Sequence, residues 1–215
     1  MKRTVLFFTF ILLSFNSLAA QEPTKAIAES ANLIAPLLVG QQIPQVQTTT
    51  IDGNSVELAQ LLNNKPTILF FYRGGWCPFC NVQMGQLQAI AGDLKAAGFQ
   101  LVGISTDAPK DLQKSISDKS LSYTLLSDYN SVVSQAFGLA FFASQKVTDR
   151  YLAKMNLQNP LQKNAAGQDR LVLPAPGIYV IDGNGLVHFQ YVNPNYKTRL
   201  APELLLHAAK LVPKG

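Results

Sequence analysis

Reactive side chains are scarce in this 215-residue chain: it has two cysteines, Cys77 and Cys80, and two histidines, His188 and His207. Two thiols three residues apart are too few for a disulfide framework. A bridge between them would close so short a loop that it would constrain the unfolded chain very little. Two histidines scattered along the sequence do not supply the further ligands a zinc site needs, and Asn81, not histidine, follows Cys80, so the attachment pattern of haem c is absent. Charged residues make up 14% of the chain, a low share for a globular protein. No Lys/Arg run or basic stripe appears, which argues against nucleic acid as a partner. The 18 basic residues exceed the 13 acidic ones by five, and by three without Lys2 and Arg3. There are no internal repeats, and the length suits one sizeable core, alone or with an extension.

Long hydrophobic runs are also lacking, with one short exception. Val5 to Leu13 is apolar apart from Thr9, follows Lys2 and Arg3, and is itself followed by Ser17-Leu18-Ala19-Ala20. A basic start, a short apolar centre and small residues form the pattern of a secretory signal cleaved after Ala19 or Ala20. The run is too short to span a bilayer comfortably. Residues 1–20 are therefore expected to be a signal peptide, which places the mature protein in the periplasm or outside the cell, where disulfides can persist. Residues 21–42 read as an N-terminal extension and 43–213 as the main domain.

Within that domain, the pattern predicts a hairpin around Asp52-Gly53, a buried strand over Thr67–Tyr72 and a helix over Phe79–Ala97 with Leu87, Ile90, Ala91 and Leu94 on one face. A strand over Gln100–Ser105, a helix over Pro109–Lys119, a strand over Tyr123–Leu126 and a helix over Asn130–Phe137 follow. Residues 138–172 are less regular, with a helix within 144–157 and a polar loop over 159–169. Strands over Gly177–Ile181 and Leu186–Val192 flank Asp182-Gly183-Asn184-Gly185, a second hairpin signal, and a helix over Ala201–Val212 closes the chain. Alternating strands and helices give parallel units and the last hairpin an antiparallel edge, so the expected fold class is α/β, a mixed central sheet with helices on both faces.

The two cysteines lie where the buried strand gives way to the long helix, in Leu69-Phe70-Phe71-Tyr72-Arg73-Gly74-Gly75-Trp76-Cys77-Pro78-Phe79-Cys80. A thiol at a helix N-terminus faces unpaired backbone N–H groups and the positive end of the dipole, which favours the thiolate, the attacking form. Cys77 is placed at the exposed end of the turn as nucleophile, with Cys80 one turn on as the resolving thiol. Arg73 is a candidate source of positive charge beside Cys77, with a structural role as its alternative. Trp76 is a candidate rim for the site or simply packing. Arg170 is a weaker candidate, and Asp107 and Asp128 fit turn or capping roles better than chemistry.

These segments, together with Val102-Gly103-Ile104-Ser105-Thr106-Asp107, Leu125-Leu126-Ser127-Asp128 and Leu173-Pro174-Ala175-Pro176-Gly177-Ile178-Tyr179-Val180-Ile181-Asp182, resemble the peroxiredoxin-like proteins of the alkyl hydroperoxide reductase/thiol-specific antioxidant group. The resemblance runs from about Ile43 to Val212 and implies a thioredoxin-like fold of the peroxiredoxin variety. It also implies an antioxidant thiol peroxidase that needs no metal, flavin or haem and is recycled by a thioredoxin-like dithiol protein, and it makes Arg73 a candidate ligand for a peroxide oxygen. Where that family usually carries a proline seven residues before the peroxidatic cysteine, a threonine or serine three before it, and an arginine six before the Ile-Asp aspartate, this chain has Phe70, Gly74 and Pro176. Pro176 instead resembles the cis-proline facing the Cys-x-x-Cys of thioredoxins, and a cis Ala175–Pro176 bond is expected.

Three functions remain open on these residues. The leading one reduces hydroperoxides through the Cys77–Cys80 dithiol. The second is protein disulfide exchange without peroxide chemistry. The third is a non-catalytic binding module that keeps the disulfide as a staple. Oligomeric state is left open, a homodimer included.

Overall fold

The computed structural model describes residues 25–62, 64–155 and 157–213, so the signal-peptide expectation for 1–20 lies outside the described residues. In chain order the elements are β1 (Gln47–Thr49), β2 (Ser55–Glu57), α1 (Leu58–Leu62), β3 (Thr67–Tyr72), α2 (Pro78–Ala96), β4 (Gln100–Ser105), α3 (Pro109–Lys119) and β5 (Thr124–Ser127). They continue with α4 (Val132–Ala136), β6 (Ala140–Phe142), α5 (Gln145–Met155), β7 (Gln162–Lys163), β8 (Asp169–Arg170), β9 (Val172–Pro174), β10 (Gly177–Ile181), β11 (Val187–Val192) and α6 (Pro202–Leu211). Among the described residues, no helix is long and apolar enough to cross a membrane.

The main sheet has the order β11-β10-β3-β4-β5-β1-β2. β3, β4 and β5 run parallel, while β10 and β11 on one side and β1 and β2 on the other pair antiparallel. β3 lies inside the sheet, between β10 and β4, as suits Thr-Ile-Leu-Phe-Phe-Tyr, which carries no charge and is rich in β-formers. Every residue of it is buried. Its alternation divides the core: Ile68, Phe70 and Tyr72 pack with Met84, Leu87 and Leu94 of α2 and Leu205 of α6. Leu69 and Phe71 face the opposite layer, with Leu58 and Leu62 of α1 and Val133 of α4. A sheet covered on both faces by helices is the expected α/β architecture.

Phe70, at the position where the resembling family carries proline, is accommodated by a glycine. It pairs in register with Gly103 on β4, and a Cβ at Gly103 would stand 2.5 Å from the Phe70 ring and 2.8 Å from Leu125. The ring fills that space, stacking on Tyr72 at 5.6 Å and meeting Tyr123 edge-on at 5.7 Å. Burying such a side chain is worth about 1.5–3 kcal/mol.

Both hairpin signals form their turns. In the second, the Asp182 carboxylate accepts the N–H groups of Asn184 and Leu186 at 2.8 and 2.9 Å. Its other oxygen meets His188 Nε2 at 3.0 Å. Two features differ from the sequence expectation. The 159–169 segment holds a short β7–β8 hairpin rather than only a loop. A second small sheet pairs β6 with β9, and Ala28 bridges to Phe141 at its margin. Of residues 25–42, only Ala31–Leu33 turns helically. The rest lies against the main domain, with Ala35 and Leu37 donating N–H groups to Gly138 and Phe137.

The expected cis bond at Pro176 is not present: the described residues contain no cis peptide. Ala175 and Pro176 link two extended strands of different sheets. Ala175 N–H donates to Leu139 at 2.9 Å and the Pro176 carbonyl accepts Asn193 N–H at 3.2 Å. A trans bond carries an extended chain straight from β9 into β10, whereas a cis bond would shorten its step and turn it. The placement of the strand itself is as expected, since β10 pairs antiparallel with β3 and Gly177 stands opposite Phe71.

Candidate active site

The thiol loop is built at the C-terminal ends of β3 and β4, where parallel α/β sheets gather their sites. β3 ends at Tyr72 and the chain turns through Arg73–Trp76 into α2, with Cys77 as the N-cap residue and Pro78 in the first turn. Proline suits that place, since its missing N–H would have had no helical partner. The turn is tied down from several sides. Gly75 N–H donates to Asp107 Oδ2 at 2.7 Å, Thr106 Oγ1 donates to the Arg73 carbonyl at 3.1 Å, and Asn81 Nδ2 donates to the Gly75 carbonyl at 2.9 Å. Cys77 N–H closes the turn onto the Gly74 carbonyl at 3.1 Å.

Gly74 is required by this geometry. Its φ is +147°, and an added Cβ would lie 2.2 Å from Trp76 Nε1 and 2.6 Å from Asp107 Oδ1. The hydroxyl residue usual in the family at this position has no room here.

Both cysteines are free thiols. Cys77 is 2% exposed and Cys80 fully buried, so the expectation of an exposed Cys77 is corrected: the N-cap is covered by the surrounding loops. The two thiols nevertheless differ sharply. The Cys77 thiol is pulled down to about 6, first by a hydrogen bond from the Cys80 thiol and further by the Cys80 backbone N–H and the charges of Arg73 and Arg199, against the opposing effect of burial. Cys80 is driven far above its ordinary value by donating that same bond, by burial and by the nearby Cys77 charge. Cys77 is therefore the thiolate and Cys80 the thiol near neutral pH.

Arg73 is 4% exposed and boxed by aromatic rings. Its guanidinium carbon lies 4.3 Å from the Tyr196 ring centre, 5.4 Å from Tyr151 and 5.7 Å from Trp76. Its Nη2 donates to the Tyr151 hydroxyl at 3.1 Å. Trp76 is half-buried and packs edge-on against Tyr151 at 4.9 Å. Arg170 bonds to Gln168 at 2.6 Å on the β7–β8 hairpin. Pro176 precedes the residue that pairs with Phe71, next to the end of β3.

The two acids after β4 and β5 play different parts. Asp128 accepts the N–H groups of Val133 and Ser134 at 2.7 and 2.8 Å, capping α4. Asp107 holds the thiol loop through Gly75. Burial pushes each up to about 6. Behind the loop lies a cavity of about 550 Å³, walled by Gly75, Trp76, Asp107, Tyr129, Met155 and Leu157 among others; Cys77 does not line it. Among the described residues, no three His, Cys, Asp or Glu side chains converge as a metal site would require.

Sequence reasoning missed Arg199. It lies 119 residues after Cys80 and donates from Nη2 to Cys80 Sγ at 3.4 Å. Nothing in its local sequence marks it, since the contact exists only because α6 packs on α2.

Residues 39–190 match the model of the AhpC/TSA family. The chain belongs to this family. Peroxiredoxin Bcp of Escherichia coli K12 is 34% identical over 104 residues, which is 48% of this chain and 66% of that protein. The aligned part thus spans about two thirds of this relative's length. Two solved structures confirm the fold. Peroxidoxin BcpB from Mycobacterium tuberculosis superposes with a TM-score of 0.61 at 20% identity, covering 81% of this chain and 97% of that one. Reduced Prx3 from Vibrio vulnificus in complex with H2O2 gives 0.64 at 17% identity, covering 80% and 99%. The fold is therefore the thioredoxin-like fold of the peroxiredoxins.

Proposed function

We propose that this protein is an exported thiol peroxidase that reduces hydroperoxides through Cys77 and Cys80. The observation that carries this reading is the asymmetry of the pair: a Cys77 sulfur pulled down to about 6 at a helix N-cap, hydrogen-bonded by a Cys80 that keeps its proton. Membership of the AhpC/TSA family and the peroxiredoxin relatives support it.

In the first step the Cys77 thiolate attacks the distal peroxide oxygen. An S–O bond forms, the O–O bond breaks, and the leaving alkoxide or hydroxide takes a proton, giving sulfenic acid and an alcohol or water. Arg73, confined by its aromatic box, supplies positive charge where the oxygen–oxygen bond becomes polarised. This role replaces that of the family arginine, whose position holds Pro176. Cys80 then condenses with the sulfenic acid, and a thioredoxin-like dithiol protein reduces the resulting disulfide by exchange. The basic start, short apolar run and Ala19-Ala20 support export to the periplasm.

The test is hydrogen peroxide consumption by the purified mature protein with a thioredoxin-type reductant. Catalytic turnover that depends on Cys77 is expected. Turnover only with a protein disulfide, and none with peroxide, would replace this reading with disulfide exchange.

A further inference from the structure

Resolution requires Cys80 to attack as a thiolate, although its sulfur is fully buried and burial favours the protonated form. The groups around it are few. Cys77 shares its helix, Tyr72 and the Arg73 backbone approach from the end of β3, and Arg199 approaches from the loop before α6. Arg199 is the cation in contact with the sulfur. Its Nε and Nη1 are buried without a hydrogen-bond partner in the protein, and no carboxylate pairs with it among the described residues. A guanidinium keeps its charge at all relevant pH values.

The loop that presents Arg199 is fixed. Asn195 N–H donates to Asn193 Oδ1 at 2.9 Å, Thr198 N–H donates to the Asn195 carbonyl at 3.0 Å, and the next residue, Leu200, is buried in the core below α2. Arg73 does not make this contact: its Nη2 donates to Tyr151, and only its backbone acts on the Cys80 sulfur.

We propose that Arg199 is a catalytic residue of the resolving step, holding Cys80 as the thiolate that attacks the Cys77 sulfenic acid; this rests on the peroxidase reading. In the reduced protein, Arg199 donates to Cys80 and Cys80 donates to the Cys77 thiolate. Oxidation of Cys77 to the sulfenic acid removes the negative charge that kept Cys80 protonated, while the Arg199 contact remains. The Cys80 electron pair then forms the S–S bond and the S–O bond of Cys77 breaks. The hydroxide leaves with the proton released by Cys80, as water. Sulfur is oxidised at Cys80 and reduced at Cys77, and no further oxidant is consumed.

The experiment titrates Cys80 alone, in the Cys77→Ser protein, by thiolate absorbance against pH. Arg199→Met in that background is expected to raise the midpoint by about one unit, equivalent to a roughly tenfold loss of thiolate below it. Arg199→Lys, which keeps a cation, should lie closer to the parent. With both cysteines restored, Arg199→Met should slow disulfide closure after a single peroxide turnover by roughly tenfold, so that a dimedone-trappable sulfenic acid accumulates. An unmoved Cys80 midpoint, or Lys and Met variants that behave alike, would overturn the assignment of Arg199. Peroxide that oxidises neither thiol of the unsubstituted protein would instead remove the peroxidase reading, a separate result from an unmoved midpoint.

Discussion

Cys77 and Cys80 stand one helical turn apart in the same short motif, but their surroundings give them opposite chemistry. Cys77 caps α2, receives hydrogen bonds from the Cys80 thiol and backbone, and lies within the fields of Arg73 and Arg199. Cys80, inside the first turn, donates the shared bond and is wholly buried. Each thiol's acidity depends on the other, so the dithiol is one unit in which the first oxidation changes the reactivity of the second sulfur. The lesson is that three residues of spacing are enough to give two thiols opposite acidity when one caps the helix and the other lies inside its first turn.

The comparison breaks most severely on removal of either sulfur. Cys77→Ser should reduce peroxide turnover to the level without protein, whereas Cys80→Ser should still oxidise once per chain and stop. Equal residual turnover in both variants would show that the two positions do not divide the roles. The pH dependence sharpens the difference. Because the thiolate reacts and the Cys77 group is pulled down to about 6, alkylation of Cys77 should be on its plateau above about pH 7 and fall through half its maximum near pH 6. It should then drop about tenfold per unit below that. A midpoint near the ordinary thiol range would contradict the described environment.

Smaller effects test the loop beneath Cys77. Gly74→Thr, which restores the family's usual hydroxyl, should lower stability by about 1–3 kcal/mol and gain no activity, because the side chain would meet Trp76 and Asp107. Thermal unfolding with peroxide kinetics checks both halves. Asp107 has a folded value raised from 3.8 to about 6 by burial. Its contribution to stability is therefore full below the unfolded value and is lost as pH rises through about 6. Asp107→Asn should flatten that loss, on the order of 2–3 kcal/mol, in unfolding measured between pH 3.5 and pH 7. The least effect expected is that of Tyr151→Phe, which removes the hydroxyl that accepts from Arg73 and should cost about 0.5–1.5 kcal/mol while slowing Cys77 oxidation only modestly.

Much of the architecture was legible because it is local. The uncharged Thr67–Tyr72 run gives a central strand by composition, and Asp52-Gly53 and Asp182–Gly185 fix hairpins through backbone positions that few other residues tolerate. The placement of the thiols was legible because it depends on a helix start that lies within four residues of them. The β6–β9 pair was not, since its three-residue strands form only by pairing across a gap of some thirty positions. Arg199 was invisible for the same reason. Pro176 differs in another way: its place opposite the end of β3 follows from the strand pattern, but the trans bond is set by the continuity of β9 into β10, a tertiary demand that no local signal carries.

The most direct test of the whole account adds one equivalent of hydrogen peroxide to the reduced mature protein and counts thiols, with intact mass in parallel. The account predicts loss of both thiols, a mass lower by two hydrogens, and in the Cys80→Ser protein a trappable sulfenic acid on Cys77. Two thiols that survive peroxide yet disappear on mixing with a protein disulfide would contradict it.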